Sequence, residues 1–224
     1  EKDVWKNAPV KIEAEYYTPL EVHHPMEMHA ITVVWEGEDK ITVYDKTQAI
    51  KNTQQDIAKL FGIPVDNVRV LSKYIGGAFG SAFISWPHTE AALIVSKKTG
   101  KPIKVSLNRE QMFTAVGYRP EAYQKIGMGA DTTGKLMGIT HEAKANTATY
   151  NEFTEGIVNI SKTLYNTPNV NTRYNVYPLN LSRPTYMRGP GETTGTFALE
   201  SAMDELAFKL NIDPIQFRLQ NYTE

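Results

Sequence analysis

Three groups of residues in this chain have types and spacings that could do chemistry. The first is Glu21, His23, His24, Glu27 and His29, which gathers three of the five histidines into nine residues. Imidazole and carboxylate are ligands for first-row metals, zinc among them, so a metal site is one reading. If this stretch is extended, however, His23 and His24 point to opposite faces, and Pro25 bends the path between them. Packing in a core or beside a cofactor pocket is the competing reading, and catalysis a third. The second group is Gly76-Gly77-Ala78-Phe79-Gly80-Ser81, with three glycines in five residues. Glycine tolerates positive φ and close approach, so backbone rather than side chain faces whatever sits there. Phe79 is then either pinned over a ligand or tucked beneath the loop as an anchor. The spacing matches neither a Walker loop nor the dinucleotide fingerprint, and on spacing alone an ordinary tight turn is the favoured reading. The third group is Arg188-Gly189-Pro190-Gly191 with Thr193, Thr194 and Gly195, at the start of a helix. Amides at a helix N-terminus, the helix dipole and a guanidinium would converge there on a phosphate or carboxylate, and an ordinary helix start accounts for the same residues equally. Together the two glycine loops are expected to grip one anionic, planar ligand.

The elements that must position these loops can be read from periodicity. Val10, Ile12, Ala14 and Tyr16 alternate with charged residues, the period of a half-buried strand. Strands at Ala30 to Trp35 and Lys40 to Tyr44 flank a turn at Glu36-Gly37-Glu38-Asp39. From Thr47 the period becomes helical, with Ile50, Ile57, Ala58 and Phe61 on one face, Thr47 as N-cap and Gly62 ending the run. Val68 to Leu71 is a short strand delivering the first glycine loop. Strand, glycine loop, helix is an order in which phosphate cradles are built. Pro87 opens a helix that Gly100-Lys101-Pro102 stops, and its apolar run Ala91 to Val95 predicts burial. Ile103 to Leu107 reads as a strand, Asn108 as the cap of a short helix, and Tyr123 to Met128 with Leu136 to Ala143 as a hairpin. Residues 147–168 are poorly periodic, with one helical turn near Ile157 to Leu164. Val170 to Tyr177 alternates again. The last helix carries Leu199, Met203, Leu206, Ala207 and Leu210 on one face. Strands and helices interleave without a regular βαβ count, so the class is α+β, or mixed α/β.

Composition narrows the function classes. The 224 residues suit one large domain or two closely associated ones, divisible near 1–120 and 121–224. With 24 basic and 25 acidic residues and no run of one sign, nothing points to nucleic acid or a lipid surface. The absence of cysteine excludes disulfides, thiolate zinc and any iron–sulfur cluster held by this chain alone. No apolar stretch approaches the ~20 residues that span a bilayer, and the N-terminus is charged rather than signal-like. A cytoplasmic location is expected, with the periplasm as the alternative. The abrupt ends, Glu1-Lys2-Asp3 and Asn221-Tyr222-Thr223-Glu224, suggest a piece of something longer.

Five segments resemble, in order, the molybdenum-binding portion of the xanthine dehydrogenase and aldehyde oxidase family of molybdenum hydroxylases. They are His24-Pro25-Met26-Glu27-Met28-His29-Ala30, Gly76 to Gly80, Lys98 to Pro102 with Asn108-Arg109-Glu110, Pro168-Asn169-Val170, and Met187 to Glu192 with Ala198 to Ala207. The resemblance covers nearly the whole chain and identifies it as the first part of a molybdopterin-binding domain. It implies a pterin dithiolene holding molybdenum, with the cytosine dinucleotide as an alternative form. Gly76, Gly77, Ala78, Phe79, Gly80, Arg188 and Gly189 become the cofactor-binding candidates. Phe79, Phe83 and Pro190 become substrate-channel candidates, and none of the residues ligates metal directly. The implied reaction inserts oxygen from water into a C–H bond of an aldehyde or N-heteroaromatic. Electrons leave through iron–sulfur clusters, with FAD as a further carrier, on partner domains or subunits. Two positions depart from the family pattern. Glu21 stands where a glutamine near the metal's apical oxygen is common, and Phe83 stands where purine oxidisers carry a substrate-orienting glutamate. Phe83 therefore argues against purines and for an apolar or aromatic substrate. The family's general-base glutamate is expected outside this chain, so the chain alone is expected to be inactive and to need the rest of the molybdenum subunit. A non-catalytic cofactor-binding or assembly module of the same fold is the alternative.

Overall fold

The computed structural model describes residues 3–223. In chain order the strands and helices are β1 (Val10–Thr18), β2 (Ala30–Glu36), β3 (Lys40–Asp45), α1 (Ile50–Phe61), β4 (Val68–Leu71), α2 (Pro87–Thr99), β5 (Ile103–Ser106) and α3 (Gln111–Thr114). They continue with β6 (Ala122–Ala130), β7 (Leu136–Ala148), β8 (Val170–Leu179), α4 (Glu192–Leu210) and α5 (Pro214–Asn221). The class is α+β, and the elements fall into two compact units. The first holds the described residues up to Glu21, with Pro120–Pro184 and Arg188 onward; the second holds Val22–Arg119 and the short return Thr185–Met187.

In the first unit the sheet order is β1-β6-β7-β8. The β6–β7 hairpin is antiparallel, turned by Asp131, whose carboxylate accepts from the Thr133 and Lys135 amides at 2.8 and 3.0 Å. β8 pairs with β7 in parallel, which requires the crossover through residues 149–169 that periodicity could not resolve. α4 lays Leu199, Met203 and Leu206 on Ile12, Ile126, Met128 and Ile139, all 3% exposed or less. β6 is buried on its other face too, because Gly127 and Gly129 leave room there for Trp5.

In the second unit the order is β4-β3-β2-β5, with β3 and β4 parallel and joined through α1. Ile57 of α1 and Leu93 of α2 meet Ile31, Val33, Ile41, Val43 and Val68 on one face of the sheet.

Three local expectations are corrected. Thr47 is not the N-cap of α1; Ala49 holds that position, and the Thr47 hydroxyl accepts from the Ala49 amide at 3.0 Å and pairs with Thr53 Oγ1 at 2.9 Å. α2 is not a buried helix. Its consecutive apolar residues spread around the cylinder, so Ala92 and Leu93 are buried while Ile94 and Val95 are 42 and 43% exposed. The helix after the second glycine loop is not the last, since Asp213 caps α5 by accepting from the amides of Ile215 and Gln216 at 2.9 and 3.0 Å.

Candidate functional site

The first glycine loop lies in the second unit, between the end of β4 and the start of α2. Its conformation is unusual for its sequence. Gly77 and Gly80 have φ of 94° and 109°, and Phe79, which carries a β-carbon, sits at φ 56°. A residue with such a side chain in the left-handed region is uncommon and persists where its surroundings over-determine it. At Gly80 a β-carbon would strike the Tyr186 carbonyl, its carbon at 2.7 Å, so the segment Thr185–Met187 passes directly against the loop.

Side chains distant in sequence hold the loop's two ends. Glu27 accepts from the Gly76 amide at 2.6 Å, and its own amide donates to the Gly76 carbonyl at 3.1 Å. Gln48 Oε1 accepts from Gly80 at 2.9 Å and more weakly from Ala82 at 3.4 Å. The Ser81 hydroxyl, fully buried, donates to the Ala78 carbonyl at 2.8 Å, and the Trp86 indole donates to the Ser81 carbonyl at 2.7 Å. Between these anchors, the amides of Gly77, Ala78 and Phe79 have no hydrogen-bond partner among the described residues. Three successive unpaired donors are left to seek an acceptor, such as an anionic oxygen, beyond the described residues.

Two of the clustered histidines, with their neighbours, brace this loop. Among the described residues no group of three or more His, Asp or Glu side chains is placed to hold a metal ion. His29, 2% exposed, has Nε2 3.1 Å from Ser81 Oγ. Since that hydroxyl already donates to Ala78, the imidazole is the donor. Burial pushes His29 down to about 3, and the neighbouring Lys46, His88 and His23 add to the effect, so the ring is neutral. His23 donates through Nε2 to the Tyr186 carbonyl at 2.5 Å and is likewise lowered, chiefly by burial. His24 is exposed at φ 46°, with its ring 4.6 Å from that of Phe113. Arg109 fixes the bend by donating to the carbonyls of Pro25 at 2.7 Å and Met26 at 2.9 Å, and Lys46 donates to that of Glu27 at 2.5 Å. Spacing within the cluster could not reveal this, because each ring's partner lies 52 to 163 residues away.

Aromatic surface surrounds the unpaired amides. Phe79, Phe83 and Tyr186 are 47, 44 and 42% exposed, and the rings of Phe83 and Tyr186 meet edge to face at 6.2 Å. Glu21 is exposed and belongs to the first unit. A hollow of about 430 Å³ elsewhere, on the sheet of the first unit, is lined by Tyr17, Tyr123, Lys125, Glu142 and Lys144 and touches none of the candidate residues.

The second glycine loop lies in the first unit and is built differently. Arg188 and Pro190 are exposed, and Gly189 and Gly191 adopt φ of 67° and 74°. Three of its amides have internal acceptors, Gly195 donating to the Gly191 carbonyl at 2.8 Å. Gly191 donates to the buried Glu155 carboxylate at 3.1 Å, and Thr193 to the Gly189 carbonyl at 3.0 Å. Beneath it runs a buried chain of polar groups that sequence reasoning missed. Gln124 donates to the Thr194 carbonyl at 3.0 Å and accepts from His141 Nε2 at 3.0 Å, while Ser161 donates to His141 Nδ1 at 2.8 Å. Burial holds His141 down at about 4, hence neutral. A histidine and a glutamine at inward strand positions were the available signal.

The profile of the molybdopterin cofactor-binding domain matches residues 1–222. The chain belongs to that family. Among relatives of this molybdopterin-binding chain, the aldehyde oxidoreductase molybdenum-binding subunit PaoC of Escherichia coli O157:H7 is 38% identical over 220 residues, covering 98% of this chain and 30% of PaoC. The xanthine dehydrogenase molybdenum-binding subunit of the same organism is 31% identical over 218 residues, covering 96% of this chain and 29% of that subunit. Quinoline 2-oxidoreductase from Pseudomonas putida 86 superposes with a TM-score of 0.91 over 99% of this chain and 29% of its own, at 19% identity, a likeness of fold. The chain thus spans about 30% of the length of the curated relatives it matches. No helix among the described residues is long and apolar enough to cross a membrane.

Proposed function

We propose that this chain supplies molybdopterin-binding surface to a molybdenum hydroxylase that oxidises an aldehyde or an N-heteroaromatic compound, with water as the source of oxygen. The observation that carries the reading is the run of unpaired amides at Gly77, Ala78 and Phe79, held open by anchors on both sides. That donor set fits the oxo and phosphate oxygens of a molybdenum pterin; when bound, the group supplies the two-electron redox chemistry that no side chain here can. The chain's own residues bind and orient. Gly76 and Gly80 fix the loop, the three amides between them donate, and Phe79 and Phe83 present an apolar approach that excludes water from the reacting carbon. Pro190 is a proposed channel residue, and Arg188 and Gly189 are proposed cofactor contacts in the first unit. No proton-transfer role is assigned to Glu21, and the general base is placed in polypeptide outside this chain. The chain alone is accordingly inactive. Iron–sulfur clusters and FAD belong to partner domains or subunits, and the cytosine dinucleotide is the proposed pterin form.

The test is metal and pterin analysis of protein purified from its own host. Molybdenum and pterin in equal amounts support the reading. Zinc without pterin overturns it, and aldehyde turnover by the isolated chain with an artificial acceptor overturns the claim that a base lies elsewhere. Pterin bound without turnover by the complete assembly would favour the alternative, a non-catalytic assembly module.

A further inference from the structure

The two edge strands of the first unit's sheet are finished in opposite ways. β1 carries Lys11, Glu13 and Glu15 along nine residues, the kind of charged edge that discourages a further strand. β8 carries a single charge, Arg173, in ten residues, and none of the ten is buried. Central strands nearby contrast with it; six consecutive positions of β6 include five that are fully enclosed.

The hydrogen-bond phase of β8 shows what is left open. The Ile139 amide donates to the Asn169 carbonyl and the Thr149 amide to that of Leu179, which fixes the odd-numbered residues as those facing β7. The N–H groups of Val170, Thr172, Tyr174 and Val176 therefore point outward. Among the described residues β8 is an edge strand paired with β7 alone, so no ladder bond reaches them. Pro178 obeys the same phase. It sits at an outward position, where a missing N–H costs the ladder nothing. Val170, Tyr177 and Leu179 are 38, 49 and 41% exposed, so apolar surface flanks the open edge on its faces.

A long, nearly uncharged edge with four free donors is a template for another strand. We infer that β8 is completed by an extended segment of the molybdenum subunit outside this chain, which continues the sheet by pairing with Val170 to Val176. The relatives supply the length: 220 matched residues are only 30% of PaoC. A segment tethered in the same polypeptide would meet the edge at a far higher effective concentration than any free partner. The inference rests on the reading that the chain works within such a longer subunit.

The experiment is hydrogen exchange, resolved by residue, on the subunit purified from its host. The outward amides of Val170, Thr172, Tyr174 and Val176 should exchange as slowly, within about threefold, as the inward amides of Arg173, Asn175 and Tyr177. Outward amides exchanging a hundredfold faster would overturn the proposal, since that is an open edge. Val176→Pro removes an outward donor but no bond to β7, so it should speed exchange at Thr172 and Tyr174 at least tenfold while Arg173 and Asn175 stay slow; no change at Thr172 and Tyr174 also overturns it. Should this variant fail to fold, the wild-type comparison decides alone. Protection that disappears on dilution together with a dimer would assign the edge to a second copy and overturn the cis partner. A host protein with no polypeptide beyond this chain would overturn the reading of the subunit itself, an outcome visible in its mass before any exchange is measured.

Discussion

Gly80→Ala is the sharpest perturbation of the first glycine loop. Two effects add. At φ 109° an alanine is outside the regions open to a residue with a β-carbon, a cost of about 1–3 kcal/mol. The new methyl also collides with the Tyr186 carbonyl, whose carbon would lie 2.7 Å away. That carbonyl is backbone, and its oxygen accepts from the buried His23 ring at 2.5 Å, so it cannot yield as a side-chain tip would; overpacking of this kind costs ~1–3 kcal/mol. The sum is about 2–6 kcal/mol. Gly62→Ala is the control: its φ is 64°, and a β-carbon there meets nothing within 4 Å, so only the left-handed penalty of ~1 kcal/mol remains. Both variants are compared with the parent protein by urea titration, reading hydrogen exchange at the Ser81 and Phe83 amides so that the local unit is followed. Gly80→Ala should be the more destabilised by at least ~1 kcal/mol and should lose bound pterin while Gly62→Ala retains it. Equal effects of the two substitutions would refute the claim that the 185–187 segment clamps the loop.

Two further predictions concern charge. His141 is held neutral, with its folded value near 4 against an ordinary 6.5; a depressed imidazole contributes stability that is complete above pH 6.5 and drains as pH falls toward 4, at ~1.4 kcal/mol per unit for one proton. His141→Gln should therefore be less stable at pH 7.5 yet show a shallower loss between pH 6.5 and 4.5, and an unchanged slope by urea titration at stepped pH would count against the assignment. Asp45 has the opposite sign: burial raises it to about 6 from 3.8, so its stabilising protonated form is complete below pH 3.8 and is lost as pH rises through 6. Asp45→Asn should gain ~1–3 kcal/mol at pH 8 and nothing at pH 4; a loss at both would show that the carboxylate has a partner the burial argument ignores.

Much of this architecture is legible in the sequence because short-range rules decided it. β1 announces itself by period two and α1 by its apolar face; Asn108 is not the N-cap of α3, a position Glu110 holds, yet its side chain accepts from the Gln111 amide at 2.8 Å. The Asp-Pro start of α5 is an equally legible signal, a cap followed by proline at the first turn. What resisted was non-local. Nothing in Val170 to Leu179 says that it pairs in parallel with β7, because a strand's period is the same for either neighbour. The apolar run in α2 misled for a related reason: consecutive apolar residues on a helix cover every side, and only the sheet beneath selects the face that is buried.

The candidate site divides along the same line. The glycines were visible, yet which amides are offered to a ligand depends on residues that carry no recognisable pattern. Glu27 and Gln48 both flank the open end of the β2–β3 hairpin, one before its first strand and one after its second. They absorb the donors of Gly76, Gly80 and Ala82. Ser81, braced by a neutral His29, draws down the Ala78 carbonyl, which turns an acceptor away from the unpaired amides. A loop with all its amides free would be mobile, and one with all of them satisfied would bind nothing. Here the flanks are consumed and the centre is not. Protonating His29 would put a charge on the ring that braces Ser81 in a buried site that already holds Lys46, so its depressed pKa keeps the loop's bracing insensitive to acidity near neutral pH.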